Sequence, residues 1–193
     1  TPMRVFPYSA AHEHTELLRG FRAIAFALAC GGPMTPVVQA QSPPASAPGT
    51  AGTRYAMRGA EFDGKAFDLA ALRGRAVMVF YWSTDCAVCM NKWPELRANA
   101  QGWRSKPFTL VSVNVDRTPE AWRDYERLVA GTQARAGNIV RLWAGDPGYS
   151  DSLSDRPKRL PMTVVIDTKG MVVSRIEGRI APEAWDSVAD LLP

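Results

Sequence analysis

The sequence predicts an α/β sandwich on a mixed sheet, and three observations predict it. Runs rich in β-branched and aromatic residues, at 76–82 and 108–115, alternate with helix-compatible segments. Residues 163–167 and 171–176 flank Thr168-Lys169-Gly170 and read as a β-hairpin. Pro182-Glu183 then opens a closing helix with Ala184, Trp185, Val188, Leu191 and Leu192 on its apolar positions.

In chain order, residues 1–40 read as an export leader. Arg19 and Arg22 precede a short apolar core, residues 23–30, and Val38-Gln39-Ala40 matches a small-residue cleavage site. The core falls short of the roughly 20 residues that span a bilayer, so cleavage near Ala40 is expected rather than a membrane or lipid anchor. Residues 41–52 (QSPPASAPGTAG) hold nothing to bury and read as a linker. The folded domain is therefore 53–193, about 140 residues, a size that forms one core.

Within it, 53–58 is a weak strand, Asp63-Gly64 a turn, and 66–68 its returning partner. Residues 69–72 make one helical turn closed by Gly74. After the second long strand, Thr118-Pro119-Glu120 supplies an N-cap, a first-turn proline and an early acid for a helix stopping at Gly131. Residues 138–143 are a short strand, and 146–158 are turn-rich with at most a brief helical turn.

The chemistry concentrates in AVMVFYWSTDCAVCMNKWPEL, residues 76–96. A buried strand passes through Ser83-Thr84-Asp85 into a helix whose first turn carries Cys86 and Cys89, with Pro94 further along. A helix N-terminus stabilises negative charge on Cys86, and the thiolate is the reactive form. Three-residue spacing brings Cys89 close enough for a disulfide. Beyond the leader, with its Cys30, His12 and His14, these are the chain's cysteines and no histidine remains. Zinc, needing four ligands, is excluded within one mature chain, and no metal is assigned. Cu(I) bound by both thiolates with Met90 or Met162 stays open.

Strand–turn–CxxC–helix, a later strand ending Asn114-Val115-Asp116, and Leu160-Pro161-Met162-Thr163 entering a hairpin resemble the thioredoxin fold. The closer likeness is to the exported TlpA/ResA-like thiol-disulfide oxidoreductases, covering 53–192. That resemblance implies a thioredoxin-like sandwich, a central mixed sheet flanked by helices, with an extra N-terminal β-hairpin. It also implies Cys86 as attacking and Cys89 as resolving cysteine, Pro161 as a cis-proline, and Leu160 as a backbone contact for substrate. It implies no cofactor.

Three positions depart from the family pattern. Asp85 stands where Trp is usual before the first cysteine; it would raise the Cys86 pKa by repulsion, or cap the helix, the reading favoured here. Lys92 stands where related reductants carry Glu, and would favour a thiolate if aimed at the pair. Met162 replaces a frequent Thr and is expected to reshape the substrate groove. Trp82 and Trp93 read as core, Trp82 also shielding the dithiol. Asp116 and Asp167 read as turn residues.

Net charge is +4, and the cations read as scattered over a solvated surface, which argues against nucleic-acid binding. The expected function is an exported, periplasmic thiol-disulfide oxidoreductase reducing disulfides in substrate proteins. An oxidase or isomerase, and a Cu(I) carrier, are the alternatives. Expected partners are disulfide-bearing or dithiol proteins and, for a reductant, a membrane thiol electron donor; the protein itself is expected to be a monomer.

Overall fold

The structure, a computed structural model, describes residues 51–132, 137–153 and 156–193. The leader and most of the linker expected from the sequence lie outside them. A five-stranded sheet organises the domain in the order β5-β4-β3-β7-β8, from β3 (Ala76–Trp82), β4 (Phe108–Asn114), β5 (Ile139–Trp143), β7 (Met162–Ile166) and β8 (Val172–Glu177). β3, β4 and β5 run parallel, β7 runs antiparallel to β3, and β8 antiparallel to β7, so the sheet is mixed as predicted. The helices are α1 (Ala87–Gly102), α2 (Pro119–Thr132) and α3 (Glu183–Ala189). Among the described residues, no helix is long and apolar enough to cross a membrane.

Every residue of β3 is buried, because both faces of the central strand are covered. Ala76, Met78, Phe80 and Trp82 face one cluster with Cys89, Trp93, Leu96 and Ala100 of α1, and Ala184 and Val188 of α3. The spacing 89, 93, 96, 100 is one apolar helix stripe. Val77, Val79 and Tyr81 face the other cluster, with Tyr55, Met57, Phe67 and Leu69.

That second face is roofed by a small antiparallel sheet, β2-β1-β6, of β1 (Met57–Ala60), β2 (Ala66–Asp68) and β6 (Ser150–Asp151). β1 and β2 form the expected extra hairpin; Gly64 takes φ +85° in its turn, a conformation glycine adopts without strain. A 3₁₀ turn, Leu69–Leu72, follows and is capped by the Asp68 side chain.

Two segments differ from expectation. Residues 53–54 do not begin β1; they lie along the start of β8, with Arg54 bridged to Met171 and the Val172 N–H bonded to the Thr53 carbonyl. Within the turn-rich 146–158, Ser150 and Asp151 form a two-residue strand against β1 rather than a helical turn. So short a strand has no periodicity to read; long-range hydrogen bonds fix it instead. Tyr81 donates to Asp151 at 2.8 Å, and the Ala56 N–H donates to Ser152 Oγ at 2.7 Å.

Candidate active site

β3 ends at Trp82 and the chain turns through Ser83–Asp85 into α1. Asp116, just after β4, holds that turn: its carboxylate accepts from the Thr84 N–H and the Thr84 hydroxyl, both at 2.9 Å, and from Asn114 Nδ2 at 3.1 Å. The sequence reading of Asp116 as a plain turn residue misses this brace. Its partners lie across the sheet, and register alone brings them together: Trp82 pairs with Asn114.

Cys86 is the N-cap of α1. Its sulfur accepts from the Cys89 N–H at 3.2 Å, so the reactive sulfur itself satisfies one of the first-turn donors. This corrects the expected cap. Asp85 precedes the N-cap by one residue and accepts from the Ser83 hydroxyl instead, remaining exposed. Cys86 and Cys89 are disulfide-bonded (S–S 2.07 Å, Cα–Cα 5.2 Å). Cys86 is half-buried, whereas Cys89 is fully buried.

Trp82 and Trp93 are both buried, as expected. Their rings meet edge to face, 5.1 Å between centroids, and Trp82 also meets Tyr125 at 4.9 Å. Trp82 Nε1 donates to Ser112 Oγ at 2.8 Å. Arg97 lies 4.8 Å above the Trp93 ring. Pro94 lies inside α1, where it removes one backbone donor.

The Leu160–Pro161 peptide is cis. Tyr81 stands opposite Met162, so Pro161 falls beside Trp82, at the end of β3 from which the cysteine turn leaves. Pro161 and Val88 line one groove of about 260 Å³, together with Asn91, Lys92, Glu95, Arg179 and Ile180. The Gly178 N–H donates to the Pro161 carbonyl at 2.7 Å, while the backbone of Leu160 makes no hydrogen bond to another described residue.

Lys92 aims neither at the dithiol nor into open solvent. Its ammonium sits on both oxygens of Glu95, at 2.8 and 2.9 Å, with the side chain 14% exposed. Glu95 also accepts from Trp185 Nε1 of α3. Partial burial raises the Glu95 pKa, but these two donors outweigh it and the net shift is downward. Met162 corrects a second expectation. It is fully buried in the cluster on the other sheet face from Cys89, because alternation along β7 carries its side chain away from the groove. From there it neither shapes the groove nor joins the two thiols around copper; Met90 does pack against the Cys89 cluster.

A mixed sheet with a dithiol at the first turn of a helix, faced by a cis-proline, defines a protein of the thioredoxin fold. Residues 43–191 match the Redoxin family, and the chain belongs to it. Thiol-disulfide oxidoreductase ResA of Bacillus subtilis is 25% identical over 116 residues, 60% of this chain and 60% of that protein. Thiol:disulfide interchange protein HelX of Rhodobacter capsulatus is 25% identical over 119 residues, 62% of this chain and 61% of that one. The chain thus matches less than two thirds of the length of these curated relatives. Among solved structures, a thiol:disulfide interchange protein from Chlorobium tepidum shares the fold with TM-score 0.56 at 23% identity, over 75% of this chain and 97% of that one. The thioredoxin domain of a thiol-disulfide oxidoreductase from Bacteroides vulgatus does so with TM-score 0.55 at 19% identity, over 73% and 96%.

Proposed function

We propose that this protein is a thiol-disulfide oxidoreductase that reduces disulfides in substrate proteins, as the names of its ResA and HelX relatives suggest. The observation that supports it is the bonded pair itself: a half-buried sulfur capping a helix, a buried one behind it, and a cis-proline alongside. In the reduced protein the Cys86 thiolate attacks one sulfur of a substrate disulfide, forming a mixed disulfide and releasing the first substrate thiolate. Cys89, deprotonated, then attacks the Cys86 sulfur and releases the second. Two electrons pass to the substrate, whose two thiolates take up two protons, and the protein is left as Cys86–Cys89 disulfide.

Leu160 offers its unused backbone groups to an extended substrate segment, with Pro161 packing beside the reacting sulfurs. Asp85 sets the charge next to Cys86, Lys92 acts through Glu95, and Trp82 keeps water from the buried side of the pair. Regeneration requires a dithiol donor, read here as a membrane thiol protein. The protein acts as an exported monomer: residues 1–40 are a leader cut near Ala40, 41–52 a linker, and 53–193 the catalytic domain.

A redox titration of the Cys86–Cys89 couple tests the direction. A potential near about −270 mV, the thioredoxin value, fits a reductant; one near about −120 mV reverses the direction and makes the protein an oxidase.

A further inference from the structure

The rim of the dithiol site is asymmetric in charge. Arg156, Lys158 and Arg159 fill three of the four positions 156–159, and Arg159 stands two residues before the cis-proline. All three are exposed. Arg156 donates to the Ala144 carbonyl at 3.4 Å, while Lys158 and Arg159 have no hydrogen bond or ion pair with another described residue. Arg179, exposed and equally without such a partner, lines the groove next to the Gly178 that bonds Pro161, at the same end of β7 as residues 156–159. The scattered reading of the cations therefore fails at this one place.

Two of the neighbouring acids are already engaged. Glu95 holds Lys92 and Trp185, and Glu177 lies 3.5 Å from Arg175. Asp85, also exposed, sits on the helix side, beside Cys86. Positive charge thus gathers at the Pro161 end of β7, negative charge lies beside the thiol, and exposed Val88 adds an apolar contact to the groove that Pro161 and Arg179 line. Like charges left together on a rim repel one another, and an oppositely charged partner relieves that repulsion while gaining association rate and orientation.

We propose that this rim selects substrate proteins whose reactive disulfide is flanked by acidic side chains, their carboxylates meeting Lys158, Arg159 and Arg179 at the end of β7 that Pro161 precedes. The proposal rests on the exchange activity above and names its substrate class.

The test mixes the reduced full chain with two peptides sharing one disulfide, one flanked by Asp and Glu, the other by Lys. At low salt the acidic peptide is expected to react at least about tenfold faster. Its advantage should fade as salt rises to about 0.5 M, where screening is strong. In the triple variant Lys158→Glu, Arg159→Glu, Arg179→Glu the ratio of the two rates should invert, and taking the ratio on one protein cancels any change in the thiol itself. Equal rates in the wild-type protein, or a ratio untouched by the reversal, overturn the proposal and leave the rim a solvated surface. Neutral hydroxyethyl disulfide separates the two readings: if the reduced protein fails to reduce it, the exchange activity is at fault. The rim is then still decided by anisotropy titration with a disulfide-free acidic peptide, where binding weaker than to its basic counterpart overturns the proposal.

Discussion

β3 sends alternate side chains to two faces of one sheet, and the faces are built by different rules. Under α1 the surroundings are carbon and aromatic rings: Phe80, Trp82, Trp93 and Leu96 enclose Cys89, and the buried Trp93 Nε1 has no partner. Under the small sheet the strand meets a polar knot. Tyr55 and Tyr81 share a hydrogen bond of 2.6 Å, and both Tyr81 and Tyr149 donate to one Asp151 oxygen, at 2.8 and 2.5 Å. Around Cys89 the thiol face is mostly apolar, and its charged groups, Asp85, Lys92 and Arg97, stand at its edge. The far face uses the same strand to tie β1, β3 and β6 together. Chemistry and specific assembly are thereby assigned to opposite sides of seven residues.

The largest effect should come from breaking the thiol face at its centre. Cys89→Ser leaves Cys86 able to attack but removes the resolving sulfur. Turnover should stop, and a substrate-sized adduct on Cys86 should accumulate on non-reducing gels and vanish with reductant; free release of reduced substrate would contradict the assigned roles. Next comes Trp82→Ala. It empties a large fully buried site and strands Ser112, so a loss of about 3–5 kcal/mol is expected in urea unfolding.

On the polar face, Tyr81→Phe removes one oxygen from between Tyr55 and Asp151, both left short of a partner. A loss of about 1–3 kcal/mol is expected. If the two faces are as separate as their contacts imply, the Cys86–Cys89 potential should not move. The same knot predicts an alkaline limit. Burial first of all raises the pKa values of Tyr55, Tyr81 and Tyr149 above 10. The folded protein holds these protons more tightly than the unfolded chain, so their contribution is complete below pH about 10 and declines as pH climbs beyond it. Denaturant midpoints above pH 10 should fall less steeply in Tyr55→Phe than in the wild-type protein.

The same division explains what was legible in the sequence. β3, β4 and the β7–β8 hairpin declare themselves through uninterrupted apolar runs, and CxxC after such a run declares the site. Asp116, the Glu95–Trp185 contact and the Tyr55–Tyr81–Asp151 knot join residues 26 to 90 positions apart, and no local pattern encodes those pairings. Asp85 was misread as the cap because a carboxylate is the commoner capping group; the sulfur one residue on took that place. The cations of 156–159 are legible beside Pro161 in the sequence, but only the fold brings Arg179 into one groove with Pro161 and Val88.

The smallest effect belongs to the link between helix α1 and helix α3. If Lys92 tuned the thiol directly, removing Glu95 would free the ammonium and shift the redox potential. If Lys92 instead serves the Glu95 contact, Glu95→Gln should alter stability and leave the potential alone. The Glu95 side chain is 43% exposed, so screening limits its worth to below about 1 kcal/mol. Its pKa is lowered on folding, so that contribution is present above the unfolded value of about 4.3 and is lost as pH falls through the folded one. The gap between wild-type and Glu95→Gln midpoints should therefore be widest near neutrality and close on acidification. A gap that stays constant with pH would mean that the Glu95 charge contributes nothing, and that packing of Trp185 alone joins the two helices.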